Sequence, residues 1–184
     1  MIPAGYMLKT VKKPDGWVSK AEVIDLYSLS GCVSDTFVNS FETWKHNGFW
    51  LYDSLDVMRA IIKEQGVDAS RFELFYYEVH EEQFDDETGL WEDATPDEAW
   101  PVEVIPPTAK TLQGFDVTTH FTGIHPECSP LACNDLAGEL DVNAHCLFAT
   151  FAEARAALEN HRFKDCEPGP YRIFAVYTVS ESIA

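Results

Sequence analysis

Between Phe72 and Ala109 the sequence contains no lysine and no arginine. The shortage of bases extends to the whole chain, where 13 stand against 31 acids in 184 residues, a formal charge of −18. A field of that sign repels nucleic-acid phosphates and anionic membrane surfaces, so neither is expected as a partner. Long apolar runs are missing as well, and no stretch approaches the roughly 20 residues needed to span a bilayer. The first ten residues, Met1 to Thr10, lack a basic stretch followed by an apolar one, so no export signal is read there. Five cysteines without such a signal point to reduced thiols in a cytoplasm. The sequence also lacks a glycine-rich phosphate loop, a Gly-x-Ser-x-Gly elbow and a His-Glu-x-x-His helix. Asp85-Asp86-Glu87 lacks the alternation of a calcium loop. No motif demands a cofactor.

Apolar residues make up 46% and aromatics 13%, enough to fill a sizeable core. Their arrangement repeats. Adding 96 to the numbers of Cys32, Asn47, Leu51, Arg59 and Ala60 gives Cys128, Asn143, Leu147, Arg155 and Ala156. Tyr52, Ser54 and Ile62 recur in kind as Phe148, Thr150 and Leu158. An apolar strand follows each copy, Phe72 to Val79 and Tyr171 to Val179. The expectation is an α+β protein of two pseudo-repeated strand–helix–strand–helix–strand modules packed as one compact unit. Residues 1–80 form the first module, 81–110 an acidic loop and connector, and 111–184 the second. The two modules either share one sheet or pack two together.

Local signals place the elements. Residues 5–12 and 23–29 read as strands, with a Lys13-Pro-Asp-Gly16 turn between them. Phe37, Phe41 and Trp44, spaced by four and three, suggest a short helix over 34–44. Gly48 to Tyr52 reads as a short buried strand. Ser54 caps a helix with the stripe Leu55, Met58, Ile61 and Ile62, and Gly66 ends it. Residues 71–79 are apolar on both faces, which suits a central strand. In the second module, 115–121 reads as a strand. Ser129-Pro130 starts a helix with the stripe Cys133, Leu136, Ala137 and Leu140. His145 to Phe148 is a short strand. Thr150-Phe-Ala-Glu153 is a capping box, opening a helix that runs to about Asn160. Pro168-Gly-Pro170 breaks the chain before the last strand.

Three groups of residues could carry function. The first is acidic: Glu78 to Glu98 holds ten acids in 21 residues, with Trp91 inside the segment and Trp100 just beyond it. Gly89 and Pro96 suggest an exposed hairpin or loop there, and Pro101, Pro106 and Pro107 a semi-rigid connector. Asp85, Asp86, Trp91, Glu92, Asp93 and Trp100 together would suit a basic protein, charge steering the encounter and tryptophan anchoring it. The plainer alternative is a solvated loop with its tryptophans folded inward. The second group is Cys128, Cys133, Cys146 and Cys166, beside His125 and His145. Thiolate and imidazole are ligands that zinc takes in fours, although the 128-to-133 spacing is wide for a structural site. Buried cysteine packing as a small hydrophobe competes with that reading. The third is Cys128 alone as a nucleophile ahead of a helix start, with His125 or His145 as base and Asn143 orienting it.

The function expected first is a cytoplasmic acidic binding module of the immunity or inhibitor kind, neutralising or regulating a basic protein. Acidity of this degree is also common among bacterial cytosolic proteins, where it serves solubility. A small enzyme using Cys128 and a zinc-stabilised regulatory module are the alternatives.

Overall fold

β1 (Ile2–Lys9) pairs antiparallel with β2 (Glu73–Val79), and β2 pairs antiparallel with β6 (Tyr171–Val179). β5 (Lys110–Thr119) lies along the other side of β6. β3 (Glu82–Asp85) carries on from β2 and meets β6 at Tyr171, and β4 (Leu90–Asp93) pairs with β3 as a hairpin. One antiparallel sheet of six strands thus unites both halves of the chain. This computed structural model describes residues 1–30, 49–94, 103–120, 128–181 and 183. The helix expected over 34–44, together with Cys32, Asn47, Trp100 and His125, lies outside the described residues.

β2 and β6 are central because their side chains are apolar on both faces. Leu74 to Tyr77 are all buried, and so are Ile173 to Val176. α1 (Leu55–Gln65) begins where the Ser54 hydroxyl accepts from Val57 N–H, and it stops at Gly66, whose φ of 64° is easy only for glycine. Its buried stripe is Leu55 and Met58, while Ile61 and Ile62 are half-buried against the same core. α3 (Phe151–Glu159) starts with the full capping box of Thr150 and Glu153 and buries Ala154, Ala157 and Leu158. A first core cluster gathers β1, β2 and α1, and a second gathers α3 with Val117, Tyr171 and Ile173.

Several sequence expectations need correction. The first strand is 2–9 rather than 5–12. Residues 23–29 are not a strand: one bridge, Lys12 to Asp25, is all that forms. Some of their amides bond instead to the 144–145 loop, as Ile24 N–H to the Ala144 carbonyl (2.9 Å) and Tyr27 N–H to the His145 carbonyl (3.1 Å), while Leu26 N–H donates to the Val11 carbonyl. The short strands expected at 48–52 and 145–148 reduce to single bridges, Tyr52 to Tyr6 and Phe148 to Phe115. The helix after Ser129 is one turn, α2 (Pro130–Cys133). Asp135, at φ 55°, ends it, and a 3-10 turn follows at Leu136–Gly138. The apolar stripe from 133 to 140 is therefore buried by two short turns and not by one helix.

Candidate functional site

The hairpin is tied to α3 through one side chain. Trp91 Nε1 donates to Glu159 Oε1 at 3.0 Å, and the Arg155 guanidinium lies over the indole, 4.5 Å from its centroid. Arg155 Nε in turn donates to Glu159 at 2.8 Å, and its Nη1 stands 3.8 Å from Glu82. Phe84 and His80 flank the indole at 5.3 and 5.7 Å. The hydrogen bond from Arg155, with that from Trp91 behind it, holds the Glu159 carboxyl below the usual range. Trp91 is thus half-buried and faces the helix. This is the inward packing that the sequence left as its alternative.

The carboxylates of the hairpin sort by orientation. Asp85 Oδ1 closes the turn by accepting from Glu87 and Thr88 N–H, at 2.8 and 3.0 Å. Asp86 turns inward, its Oδ1 accepting from Gly169 N–H at 2.9 Å. Glu87, Glu92 and Asp93 are exposed, and Glu92 accepts from the Gln83 amide. No ion pair among the described residues reaches any of these five acids. β4 ends the strand order, so the acids lie along a sheet edge.

The four cysteines among the described residues lie in separate surroundings. Cys128 is buried; its Sγ lies 3.8 Å from Asn134 Oδ1, and its N–H donates to Thr119 Oγ1. Cys133 Sγ lies 3.7 Å from Ser30 Oγ. Cys146 is fully buried at φ 61°, and burial pushes its thiol up. Burial, then the charge of Glu167, pushes Cys166 up to about 11. Among the described residues, no three His, Cys, Asp or Glu side chains converge as a metal set. A one-turn α2 sums few peptide dipoles, so the helix argument for Cys128 has little to act through.

Asn143 organises a loop. Its Oδ1 accepts from His145 and Leu147 N–H, at 2.9 and 3.2 Å, while its Nδ2 donates to the Gln113 carbonyl. His145 is oriented by Asp25, which the sequence reading missed: Nδ1 to Oδ1 is 2.6 Å. The imidazole stacks on Tyr27 at 4.1 Å and 10°. An imidazole fixed by a carboxylate presents its other nitrogen as a base. A further missed cluster centres on Asp116, fully buried on β5. Its oxygens accept from Leu29 N–H (2.8 Å), Val117 N–H (2.9 Å) and the Ser129 hydroxyl (2.5 Å). Lys9, whose charge acts on Asp116, is itself buried and donates to the carbonyls of Ser28 and Ser30. One acid inside the strand run Gly-Phe-Asp-Val-Thr was the available signal for it. Asp25 gave none, because no periodicity links residues 120 apart.

Comparison with known protein families, with characterised proteins and with solved structures finds no match to this chain.

Proposed function

We propose that the protein is an acidic binding module that engages a basic protein through the β3–β4 hairpin. The observation that carries this reading is the row of hairpin carboxylates free of ion pairs among the described residues, held on a sheet edge that Trp91 fastens to α3. The net charge of −18 supplies the long-range attraction. Immunity or inhibition is the role such a surface would suit, in a cytoplasm. No described helix is long and apolar enough to cross a membrane. The test is capture of a basic protein from the native host at low salt. Changing Asp85 and Asp93 to Asn, with Glu87 and Glu92 to Gln, should slow association about tenfold or more while leaving dissociation nearly unchanged. Equal association by the parent and the quadruple variant sinks the proposal.

The Asp25–His145 pair favours a second reading, an acid–base enzyme in which His145 acts and Asp25 orients it. Hydrolysis of ester or phosphoester probes, lost in both His145→Gln and Asp25→Asn, would support it. Activity that survives both changes excludes it.

We further propose that the two halves of the chain are pseudo-repeats. Supporting it, each half has a strand with a glycine bulge, Gly5 or Gly114, followed at once by an aromatic residue. That aromatic, Tyr6 or Phe115, bridges to Tyr52 or Phe148, which are 96 residues apart. A capped helix and then a central strand follow in each half. The matching register begins at β1 and not at residues 23–29.

A further inference from the structure

Beside the turn of the hairpin is a cavity of about 120 Å³. Its apolar walls are Phe84, Leu158, Phe163 and Tyr171, and its charged or titratable ones Asp86, His161 and Lys164. An engineered cavity of roughly 150 Å³ is known to take benzene, so the space suits a ligand of about six heavy atoms. The walls are held from behind. Tyr171 donates its hydroxyl to the Glu167 carbonyl and lies 3.3 Å from that of Phe163, and the Phe163 and Tyr171 rings meet at 5.4 Å.

The polar groups are only partly engaged. Asp86 Oδ1 is committed to Gly169 N–H, and Oδ2 has no hydrogen bond among the described residues. Neither Lys164 Nζ nor the His161 ring has a hydrogen-bond or ion-pair partner among the described residues. We propose that this cavity binds a small zwitterion of the amino-acid type. Its ammonium meets Asp86 Oδ2, its carboxylate meets Lys164 and His161, and its carbon body lies among Phe84, Phe163 and Tyr171.

The mixed charge of the walls selects the ligand class. An amine alone would leave Lys164 facing a like charge, and a carboxylate alone would face Asp86. Each would bring a partly desolvated charge into the cavity beside an unmatched group. A zwitterion answers both signs at once. This inference stands apart from the protein-binding reading, because Asp86 is turned inward and is not changed in the association test.

The full chain is titrated with glycine, L-alanine, L-serine and β-alanine, and with propylamine and propionate as probes of one charge. Ring resonances of Phe163 and Tyr171 are followed by NMR. At least one zwitterion should saturate and move both rings, with either single-charge probe about tenfold weaker or worse. Asp86→Asn, which keeps an acceptor for Gly169, and Lys164→Met, at an exposed side chain, should each weaken binding about tenfold. If Asp86→Asn unfolds the chain, Lys164→Met decides alone. The proposal is overturned if no zwitterion saturates by about 50 mM, if a single-charge probe binds as well, or if Lys164→Met binds like the parent.

Discussion

Asp116 holds three hydrogen bonds on one buried carboxylate, joining β5 to the loops at Leu29 and Ser129. Burial raises its affinity for a proton, and the donors and Lys9 only partly offset that. An acid that binds its proton more tightly when folded favours the folded chain at pH below its unfolded value of about 3.9. That contribution is lost as pH rises through the raised folded value. Denaturant midpoints compared across pH should therefore show this loss in the parent and not in Asp116→Asn. The variant itself should be about 1–3 kcal/mol less stable in the neutral range, because its amide turns a donor toward a donor. A variant with the parent's pH slope would locate the titration elsewhere. At this scale the caps were legible. Ser54, Gly66, Thr150 and Glu153 act within four residues of chain, so spacing alone finds them. Asp116 and the Asp25–His145 pair depend on loops meeting from distant positions, and no local pattern records that.

The β3–β4 hairpin, one of two forms the local sequence allows, is oriented by something else. Acids, Gly89 and the turn formed on Asp85 make a hairpin on local grounds. Whether Trp91 faces a partner or the core depends on Arg155 and Glu159, more than 60 residues away. Trp91→Ala should cost about 2 kcal/mol, from lost apolar burial, a hydrogen bond to a charged group and the cation–π contact. For a chain of this length that lowers the melting temperature by about 4–8 °C. Calorimetry on the variant checks it; a shift below about 1 °C would mean that the hairpin is fastened by other contacts. The failed strand at 23–29 has a related cause. Val23, Leu26 and Leu29 are buried as an apolar strand's would be, but the amides of Ile24 and Tyr27 found partners in the 144–145 loop and that of Leu29 found Asp116, and composition does not tell a ladder from a packed loop.

For the whole molecule, the bulge glycines give the repeat its sharpest test. Gly114 sits at φ 149°, and a Cβ there would lie 2.6 Å from the Phe148 carbonyl oxygen and 2.8 Å from Leu147 Cβ. Gly114→Ala must therefore disturb the Phe115–Phe148 bridge and should cost about 2 kcal/mol or more. If the halves are equivalent, Gly5→Ala, at φ 132°, should cost about as much. Denaturant melts in which Gly5→Ala is neutral would break the equivalence. A sheet combined with helices was legible from the apolar runs at 72–79 and 171–179; that it is antiparallel was not. Its unity was not, because pairing between β2 and β6 spans a separation that no window of sequence covers.

The pairing of those two strands has one more consequence. Gly5 lies opposite Tyr77 and Gly114 opposite Val176, and Tyr77 and Val176 lie opposite each other. Two residues that each face a glycine thus meet where β2 pairs with β6, and there each half covers the other's inner edge. Either half alone would present that edge as an open row of amides and carbonyls, complementary in direction to a second copy of itself. Continuity of the chain is what makes the inner edges find each other before they find a neighbour. Cleavage between the halves, followed by their separation, would expose both inner edges and make two adhesive fragments.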